Sequence, residues 1–150
     1  MTPIRKVGII GTGQMGSGIA HVVALSGYEV LLSDLSKERV DKGLEAIEKN
    51  LSRQIASGKI TDEDRKQALA RISYAESYQD LADADLVIEA ATEDETVKRK
   101  IFVALCPFLK PEAIVATNTS SISITRLAAA TDRPERFIGL HFMNPVPVME

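Results

Sequence analysis

Three closely spaced glycines near the N-terminus constrain the fold more than any other feature. A short apolar run ends at Ile10, the next six residues read Gly-Thr-Gly-Gln-Met-Gly, and a helix-compatible apolar run follows. A strand, a tight turn and a helix account for this order. Gly11 lets the chain turn out of the strand, Gly13 leaves the backbone open to a pyrophosphate, and Gly16 allows close helix packing. The stretch therefore predicts a dinucleotide-binding loop.

The helix after the first glycines would hold the phosphates of such a ligand. Its first turn offers free N–H groups and the positive end of the helix dipole. We assign Gln14 and Met15, between the second and third glycine, to the same cofactor site. Glycine-rich turns are common, so the motif alone is a weak indication and the rest of the sequence has to support it.

Strand-like and helix-like segments alternate along the remaining chain. The strand candidates are residues 5–10, 28–34, 72–75, 86–90, 113–117 and 137–142. The helix candidates are residues 14–26, 37–57, 62–70, 93–106 and 123–129. The strongest strands are continuous apolar runs, as in parallel sheets buried on both faces. Right-handed crossovers then favour an α/β fold, a Rossmann-type doubly wound, mostly parallel sheet with helices on both faces.

Two helix candidates have a defined start and a defined apolar face. Ser36 is the predicted N-cap of the long helix, and Gly58 is its predicted C-cap. Its apolar residues recur every three or four positions: Val40, Leu44, Ile47, Leu51 and Ile55. For the helix at 93–106 we predict a capping box over residues 92–95. The expected apolar side of that helix carries Val97, Ile101, Phe102 and Leu105.

Composition excludes several classes of protein. The 150 residues suffice for one domain with a hydrophobic core. With 18 basic and 21 acidic residues, no nucleic-acid or membrane partner is expected. No apolar stretch reaches the roughly 18 residues of a membrane span, and Met1 stands too close to the first strand for a signal peptide. Cys106, the single cysteine, favours a reducing, cytoplasmic location and is expected to be buried. The sequence contains no Cys/His cluster with the spacing of a zinc site, so no bound metal is expected.

Polar residues stand at the carboxyl ends of the predicted strands. They comprise the glycine loop, Asp34, residues 89–93, residues 118–121 and residues 141–144. Ligands bind outside the carboxyl ends of the strands in a doubly wound sheet. We therefore expect these five places to lie along one edge.

Asp34 is the predicted partner of the adenosine ribose. It lies 23 residues after Gly11, where a dinucleotide site needs an acid to accept hydrogen bonds from the ribose hydroxyls. An acid there also repels a 2′-phosphate, which favours NAD as the cofactor. A solvated, helix-capping aspartate is the alternative, and the nearby Lys37 leaves NADP open.

His141, at the end of the last predicted strand, is a candidate general base. A dehydrogenase must remove the hydroxyl proton as the hydride leaves, and histidine titrates near neutrality. The alternative is a histidine hydrogen-bonded by the backbone at a strand end. An orienting acid is also needed, and Glu89, Glu93 and Glu150 are candidates without a diagnostic spacing.

Three further polar residues and the second histidine are ambiguous. Asn118, Ser120 and Ser121 either cap the next helix or hydrogen-bond a nicotinamide and a substrate oxygen. His21 falls in the middle of the first helix, where a packing or surface role is expected.

Four segments together resemble one family. They are residues 7–20, 87–90, 118–121 (Asn-Thr-Ser-Ser) and 139–149, which include His-Phe-Met-Asn-Pro. This combination is similar to the N-terminal NAD-binding domain of L-3-hydroxyacyl-CoA dehydrogenases, the family of the bacterial 3-hydroxybutyryl-CoA dehydrogenases. The resemblance covers essentially the whole chain. It implies reversible, NAD-dependent oxidation of a 3-hydroxyacyl-CoA to a 3-ketoacyl-CoA, in fatty-acid or butanoate metabolism.

The resemblance also implies roles for individual residues. His141 would be the general base, and Ser120 and Asn144 would lie near the substrate oxygen and the nicotinamide. Glu93 and Lys98 match positions on the cofactor side.

The family also has an all-helical C-terminal domain that closes over the acyl-CoA and supplies most of a dimer interface. Residues 1–150 are thus expected to be the NAD-binding part of a homodimeric enzyme. The acid that pairs with the histidine is expected just beyond Glu150.

Two other functions remain open. One is a related NAD-dependent dehydrogenase of a hydroxy acid or sugar acid, against which the His-Phe-Met-Asn-Pro segment argues. The other is a non-catalytic NAD-binding module such as a redox-sensing regulator, although no DNA-binding helix pair or basic face is visible.

Overall fold

A six-stranded sheet forms the centre of the molecule. The structure is a computed structural model that describes residues 4–92, 94–118, 124–129 and 131–140. The strands are β1 (Lys6–Ile10), β2 (Glu29–Ser33), β3 (Ile72–Tyr74), β4 (Leu86–Glu89), β5 (Ile114–Asn118) and β6 (Phe137–Leu140). All neighbours pair in parallel, in the order β3-β2-β1-β4-β5-β6. This is the Rossmann strand order, so the predicted fold class is confirmed.

Helices cover both faces of this sheet. They are α1 (Gln14–Leu25), α2 (Lys37–Ala56), α3 (Asp62–Ala70), α4 (Glu95–Leu105) and α5 (Ile124–Ala128). Three short 3₁₀ turns that the sequence patterns did not predict lie at Tyr78–Leu81, Cys106–Phe108 and Pro134–Arg136. Within the described ranges, no helix is long and apolar enough to cross a membrane.

The strands contribute residues to two hydrophobic clusters, one on each face of the sheet. Val7 and Ile9 of β1 pack with α1 and α2 on one face, whereas Ile10 packs with α4 residues on the other. This alternation follows from the two-residue period of a strand. It explains the continuous apolar runs of β1 and β4, since both faces of these central strands are buried. Phe102 and Phe137 meet edge to face in the second cluster, with ring centroids 5.2 Å apart.

The predicted N-cap of α2 is confirmed, whereas its C-cap is Ser57 and not Gly58. The Ser36 side chain accepts a hydrogen bond from the Arg39 N–H, which caps the helix at its start. Gly58, just after the last turn, has a φ of +77° that favours glycine.

The apolar face predicted for α4 is partly wrong. The N-cap is Asp94, whose side chain accepts from the Val97 N–H, and the helix begins at Glu95. Val97 is 42% exposed, and the buried side chains are Lys98, Phe102 and Leu105. The reason lies at the end of β4, where buried Glu89 requires a counter-ion and α4 turns Lys98 towards it. Hydrophobic periodicity does not anticipate an inward-facing lysine.

His21 and Cys106 are both buried. His21 lies in α1, and its Nε2–H donates to Gln54 Oε1 at 2.7 Å, because an amide oxygen only accepts. Its Nδ1 is buried without a hydrogen-bond partner among the described residues. Burial lowers the pKa of His21, and the Gln54 bond offsets this in part. Burial raises the pKa of the Cys106 thiol, consistent with the predicted packing role.

The buried imidazole predicts a pH dependence of stability. The folded chain binds this proton less readily than the unfolded chain, whose histidine titrates near a pKa of about 6.5. The free energy of unfolding should therefore fall as the pH drops through about 6.5 and on towards the lower folded pKa. We expect His21→Leu to show a smaller loss between about pH 7.5 and about pH 5.5 in urea denaturation. Equal losses in the two proteins would contradict this assignment.

Candidate functional site

Two adjoining cavities lie at the carboxyl ends of the strands. The first, of about 330 Å³, is lined by six residues of the predicted cofactor site: Gly11, Gly13, Gln14, Met15, Asp34 and Asn118. The second, of about 580 Å³, shares four lining residues with the first: Asp34, Arg39, Ala91 and Thr92. The structure thus brings together residues that are far apart in sequence.

The three positions of the loop are glycine for different structural reasons. Gly11 has a φ of +104°, and a Cβ on it would lie 2.8 Å from the Ala90 oxygen. A Cβ on Gly16 would lie 1.7 Å from the Gly11 oxygen, so the loop itself, rather than the sheet, requires this glycine. A Cβ on Gly13 would meet nothing within 4 Å. Among the described residues no contact requires Gly13 to be glycine, which fits a backbone that a ligand approaches.

The first turn of α1 is open to an anion. The helix begins at Gln14, its N-cap Gly13 provides no side-chain hydrogen bond, and no acidic residue lies in the first turn. The initial N–H groups of a helix have no partner within it, and the dipole there favours negative charge. A pyrophosphate fits this position as the ligand.

Asp34 is held firmly at the junction of the two cavities. Its Oδ2 accepts from the Thr12 N–H at 2.8 Å and from the Thr12 hydroxyl at 2.7 Å, and its Oδ1 accepts from the Leu35 N–H at 2.7 Å. Burial raises the pKa of this carboxyl, but these donors and the Arg39 guanidinium outweigh burial, so the pKa lies below its ordinary value. Asp34 is therefore ionised at neutral pH.

The cation beside Asp34 is Arg39 rather than Lys37. Arg39 Nη1 lies 3.9 Å from Asp34 Oδ1, and Arg39 lines both cavities while remaining largely exposed. Lys37 is exposed at the start of α2. Arg39 could not be singled out from the sequence, because the first turn of α2 contains two cations and only the fold shows which one faces Asp34.

The larger cavity has a mixed wall. Ile10, Val97 and Ile101 contribute apolar surface, and Tyr78 lies beside them. Burial, with the nearby charges of Glu89 and Asp34, raises the pKa of Tyr78, so its phenol is neutral. A flat, largely apolar group with a polar edge fits such a wall.

A fully buried ion pair supports the wall of the first cavity. Glu89 and Lys98 are both 0% exposed, and the Lys98 ammonium donates to Glu89 Oε1. It also donates to the Thr117 hydroxyl at 3.1 Å and the Asn118 carbonyl at 3.2 Å. The Ala91 N–H donates to Glu89 Oε2 at 2.8 Å. The pair therefore ties the ends of β4 and β5 together where Ala91 and Asn118 line the cavity.

All three ammonium protons of Lys98 are used within this network. A direct contact of Lys98 with the cofactor stays a prediction. In the structure Lys98 lies beneath the cavity wall and supports it through Asn118. Both oxygens of Glu89 have partners within this network, and a role of Glu89 as the acid that orients His141 stays a prediction.

Six of the candidate site residues lie outside the described residues. Ser121 and Glu150 are two of them, and the other four carry the assigned roles. They are Glu93, Ser120, His141 and Asn144, and their roles stay predictions. The adjoining strand is described: β6 ends at Leu140, opposite Asn118 of β5. Within the described ranges, no group of three His, Cys, Asp or Glu side chains is placed to hold a metal ion.

Comparison with known proteins identifies the family. The sequence model described as the NAD-binding domain of 3-hydroxyacyl-CoA dehydrogenase matches residues 6–150. The chain belongs to this family. NAD is accordingly the cofactor of the domain, and the glycine loop, the helix start and Asp34 fit that ligand.

Individual relatives of this 3-hydroxyacyl-CoA dehydrogenase domain support the assignment. The chain is 65% identical over 147 residues to a 3-hydroxybutyryl-CoA dehydrogenase of Bradyrhizobium diazoefficiens, covering 98% of the chain and 50% of the relative. It is 44% identical over 150 residues to a 3-hydroxyadipyl-CoA dehydrogenase of Escherichia coli, covering 100% of the chain and 32% of the relative.

The crystal structure of an (S)-3-hydroxybutyryl-CoA dehydrogenase from Ralstonia eutropha matches with a TM-score of 0.95 and 50% identity, covering 98% of the chain and 52% of that protein. The chain spans about half the length of the curated 3-hydroxybutyryl-CoA dehydrogenases it matches.

Gly13→Val tests the phosphate site directly. The backbone of Gly13 (φ −70°, ψ −165°) is accessible to any residue, and the added side chain would enter open space. We expect NADH binding to weaken about 100-fold, measured by calorimetric titration, with the Tm changed by less than about 2 °C. Gly16→Ala is the contrasting variant, because its methyl group clashes with the Gly11 oxygen and should lower both stability and binding. Unimpaired NADH binding by Gly13→Val would place the phosphates elsewhere.

Proposed function

We propose that this chain is the cofactor-binding part of an NAD-dependent L-3-hydroxyacyl-CoA dehydrogenase. The enzyme would oxidise the 3-hydroxyl of a 3-hydroxyacyl-CoA to a 3-ketoacyl-CoA, reversibly. The observation that carries this proposal is the ionised Asp34 at the junction of two cavities, beside the open face of Gly13. The acyl-CoA substrate is supported by the names of relatives such as the Bradyrhizobium enzyme.

The residues of the chain would divide the binding task between the two cavities. The N–H groups at the start of α1 would hold the pyrophosphate, and Asp34 would accept a hydrogen bond from the adenosine ribose. The adenine would lie in the larger cavity, against Val97 and Ile101. Bound NAD would supply the acceptor for the hydride that leaves the substrate carbon.

The proposed chemical roles follow the resemblance. His141 would take the proton of the 3-hydroxyl, which leaves the oxygen as a carbonyl once the hydride has departed. Ser120 and Asn144 would hydrogen-bond near that oxygen and the nicotinamide, and Glu93 would contact the cofactor. The Glu89–Lys98 pair would keep Asn118, beside the Ser120 segment, in place.

A second domain completes the proposed enzyme. We infer that residues 1–150 form the NAD-binding domain and that an all-helical C-terminal domain closes over the acyl-CoA and forms a homodimer. The length of the relatives supports this, since the chain covers only 50% of the Bradyrhizobium enzyme. The buried free thiol of Cys106 supports a cytoplasmic location.

A different substrate class is the second candidate. A crystal structure described as diketoreductase matches the chain with a TM-score of 0.90 and 33% identity. The same domain could thus serve an enzyme for a hydroxy acid, a sugar acid or a dicarbonyl compound. Its support is weaker than the 65% identity to a 3-hydroxybutyryl-CoA dehydrogenase.

Two measurements test the proposed function. Calorimetric titration of the 150-residue chain should show NADH binding, and a folded chain that binds no NADH would refute the proposal. The protein extended by the coding region that follows should oxidise NADH with acetoacetyl-CoA. Oxidation of L-gulonate with NAD, without activity on acetoacetyl-CoA, would favour the second candidate. NADH binding without turnover of any substrate would indicate a non-catalytic module.

A further inference from the structure

Thr12, the residue between the first two glycines, connects four parts of the cofactor site. Its N–H and its hydroxyl both contact Asp34 Oδ2, at 2.8 and 2.7 Å. The hydroxyl also lies 2.9 Å from the Arg39 carbonyl in α2. The Thr12 carbonyl accepts from the Ser17 hydroxyl of α1 at 2.8 Å. The glycine loop, the end of β2 and the helices α1 and α2 therefore meet at one buried residue.

The single proton of the Thr12 hydroxyl has two possible acceptors. One is the ionised Asp34 carboxylate, and the other is the Arg39 carbonyl. Arg39 lies in the first turn of α2, where its carbonyl already has the N–H four residues later as its helical partner. A charged acceptor also forms the stronger hydrogen bond. The proton is therefore directed to Asp34.

The helix that faces Thr12, α2, has a glycine at the point of contact. Gly43 lies inside α2 and is buried, although glycine disfavours a helix interior. A Cβ at this position would lie 2.9 Å from Thr12 Cβ and 3.0 Å from Ser17 Oγ. The absence of a side chain at Gly43 thus makes room for Thr12. This is an independent sign that the position of Thr12 is built into the fold.

The contacts of Thr12 determine what Asp34 can offer a ligand. A carboxylate has about four acceptor sites, and two on Oδ2 are occupied by Thr12. One on Oδ1 is occupied by the Leu35 N–H. The remaining acceptor site is on Oδ1, the oxygen 3.9 Å from Arg39 Nη1. A fixed, negative oxygen with one open site suits a hydroxyl donor and repels a phosphate.

We propose that Thr12 is a specificity-determining positioning residue, which holds the Asp34 carboxylate so that the site accepts the ribose hydroxyl of NAD(H) and rejects the 2′-phosphate of NADP(H). The proposal rests on the proposed contact between Asp34 and the ribose. Without the Thr12 hydroxyl, Asp34 can rotate away, and the exposed Arg39 is left to pair with a 2′-phosphate.

Titration of the chain with NADH and with NADPH, in wild-type, Thr12→Val and Thr12→Ser forms, tests the proposal. Valine keeps the shape and loses the hydroxyl. We expect Thr12→Val to bind NADH about tenfold more weakly than the wild type. The ratio of NADH affinity to NADPH affinity should also fall about tenfold. Thr12→Ser restores the donor and should remain within about twofold of the wild type in both values.

The pH dependence of NADH binding provides a second measurement. Burial raises the pKa of Asp34, while the Thr12 hydroxyl is foremost among the donors that outweigh burial and lower it. Removing this donor raises the pKa, so the carboxylate protonates at higher pH. NADH affinity should therefore begin to fall at a higher pH in Thr12→Val than in the wild type. Identical pH profiles would contradict the proposed control of the carboxylate.

Ser17→Ala is the matched control, because it removes a hydroxyl bonded to Thr12 without touching Asp34. It should leave the NADH to NADPH ratio unchanged. If Thr12→Val does not fold by circular dichroism, Thr12→Ala takes its place. Equal losses of NADH and NADPH affinity, or a Thr12→Ser protein that behaves like Thr12→Val, would overturn the proposal. Two outcomes separate this proposal from the proposed function. If the wild type binds NADH but the ratio of NADH to NADPH affinity is unchanged in Thr12→Val, only the role of Thr12 is refuted. If the wild type binds no NADH, the proposed function is refuted as well.

Discussion

Replacing Lys98 with methionine is expected to lower the free energy of unfolding by about 3–5 kcal/mol. The reason is the fully buried partner: Glu89 would keep a negative charge that no solvent reaches. The Thr117 hydroxyl and the Asn118 carbonyl would also lose a donor. Since domains of this kind are stable by only about 5–15 kcal/mol, urea denaturation should show a large fall in the midpoint.

Two further variants separate the lost charge pair from a simple change in packing. Lys98→Met combined with Glu89→Gln removes both charges of the buried pair. The side-chain amide oxygen introduced by Glu89→Gln can still accept a hydrogen bond from the Ala91 N–H. We expect the double variant to recover at least about 1 kcal/mol relative to Lys98→Met alone. Lys100→Met, on the exposed side of α4, should change stability by less than about 0.5 kcal/mol. A Lys98→Met protein destabilised by less than about 1 kcal/mol would contradict the structural role of the ion pair.

The second large effect is expected in the catalytic rate. In an enzyme that includes the proposed C-terminal domain, His141→Ala should lower kcat about 10²–10⁴-fold, because a general base contributes about that much. NADH affinity should stay within about twofold, since the predicted task of His141 is proton removal and not cofactor binding. Steady-state assays with acetoacetyl-CoA and calorimetric titration with NADH measure the two quantities.

The other histidine provides the control for this experiment. His21 is buried in α1 against Gln54, so His21→Ala should lower stability and leave the rate per folded molecule unchanged. A rate within about twofold of the wild type in His141→Ala would show that His141 is not the base. The alternative of a histidine held by the backbone at a strand end would then gain support.

Most of the fold could be predicted from short-range patterns. The continuous apolar runs of β1 and β4 indicated a parallel sheet, and the structure shows both of their faces buried. Ser36 and the apolar period of α2 located that helix within one residue of its observed ends. These signals lie within a few residues of one another, where backbone geometry and capping act directly.

The candidate site was predictable only in part. The glycine loop, Asp34 and Asn118 followed from spacing and strand ends, and the structure gathers them around one cavity. Thr12 gave no signal by itself. A signal that went unused is Gly43, a glycine inside a predicted helix, where the structure shows a close approach of α2 to Thr12. The inward turn of Lys98 was not foreseen, because the partner that causes it, Glu89, lies on a separate strand.

The amino-acid sequence by itself therefore determined the alternation of strands and helices, the family and the cofactor, since motifs and periodicity are local and survive without a fold. The tertiary structure alone decided that Gly13 faces open space while Gly16 faces the Gly11 oxygen. It also decided that Asp34 is bound by Thr12, and that Lys98 lies beneath the cavity wall. The physical reason is that hydrogen bonds and burial depend on distances between residues that the chain brings together only when the sheet has formed.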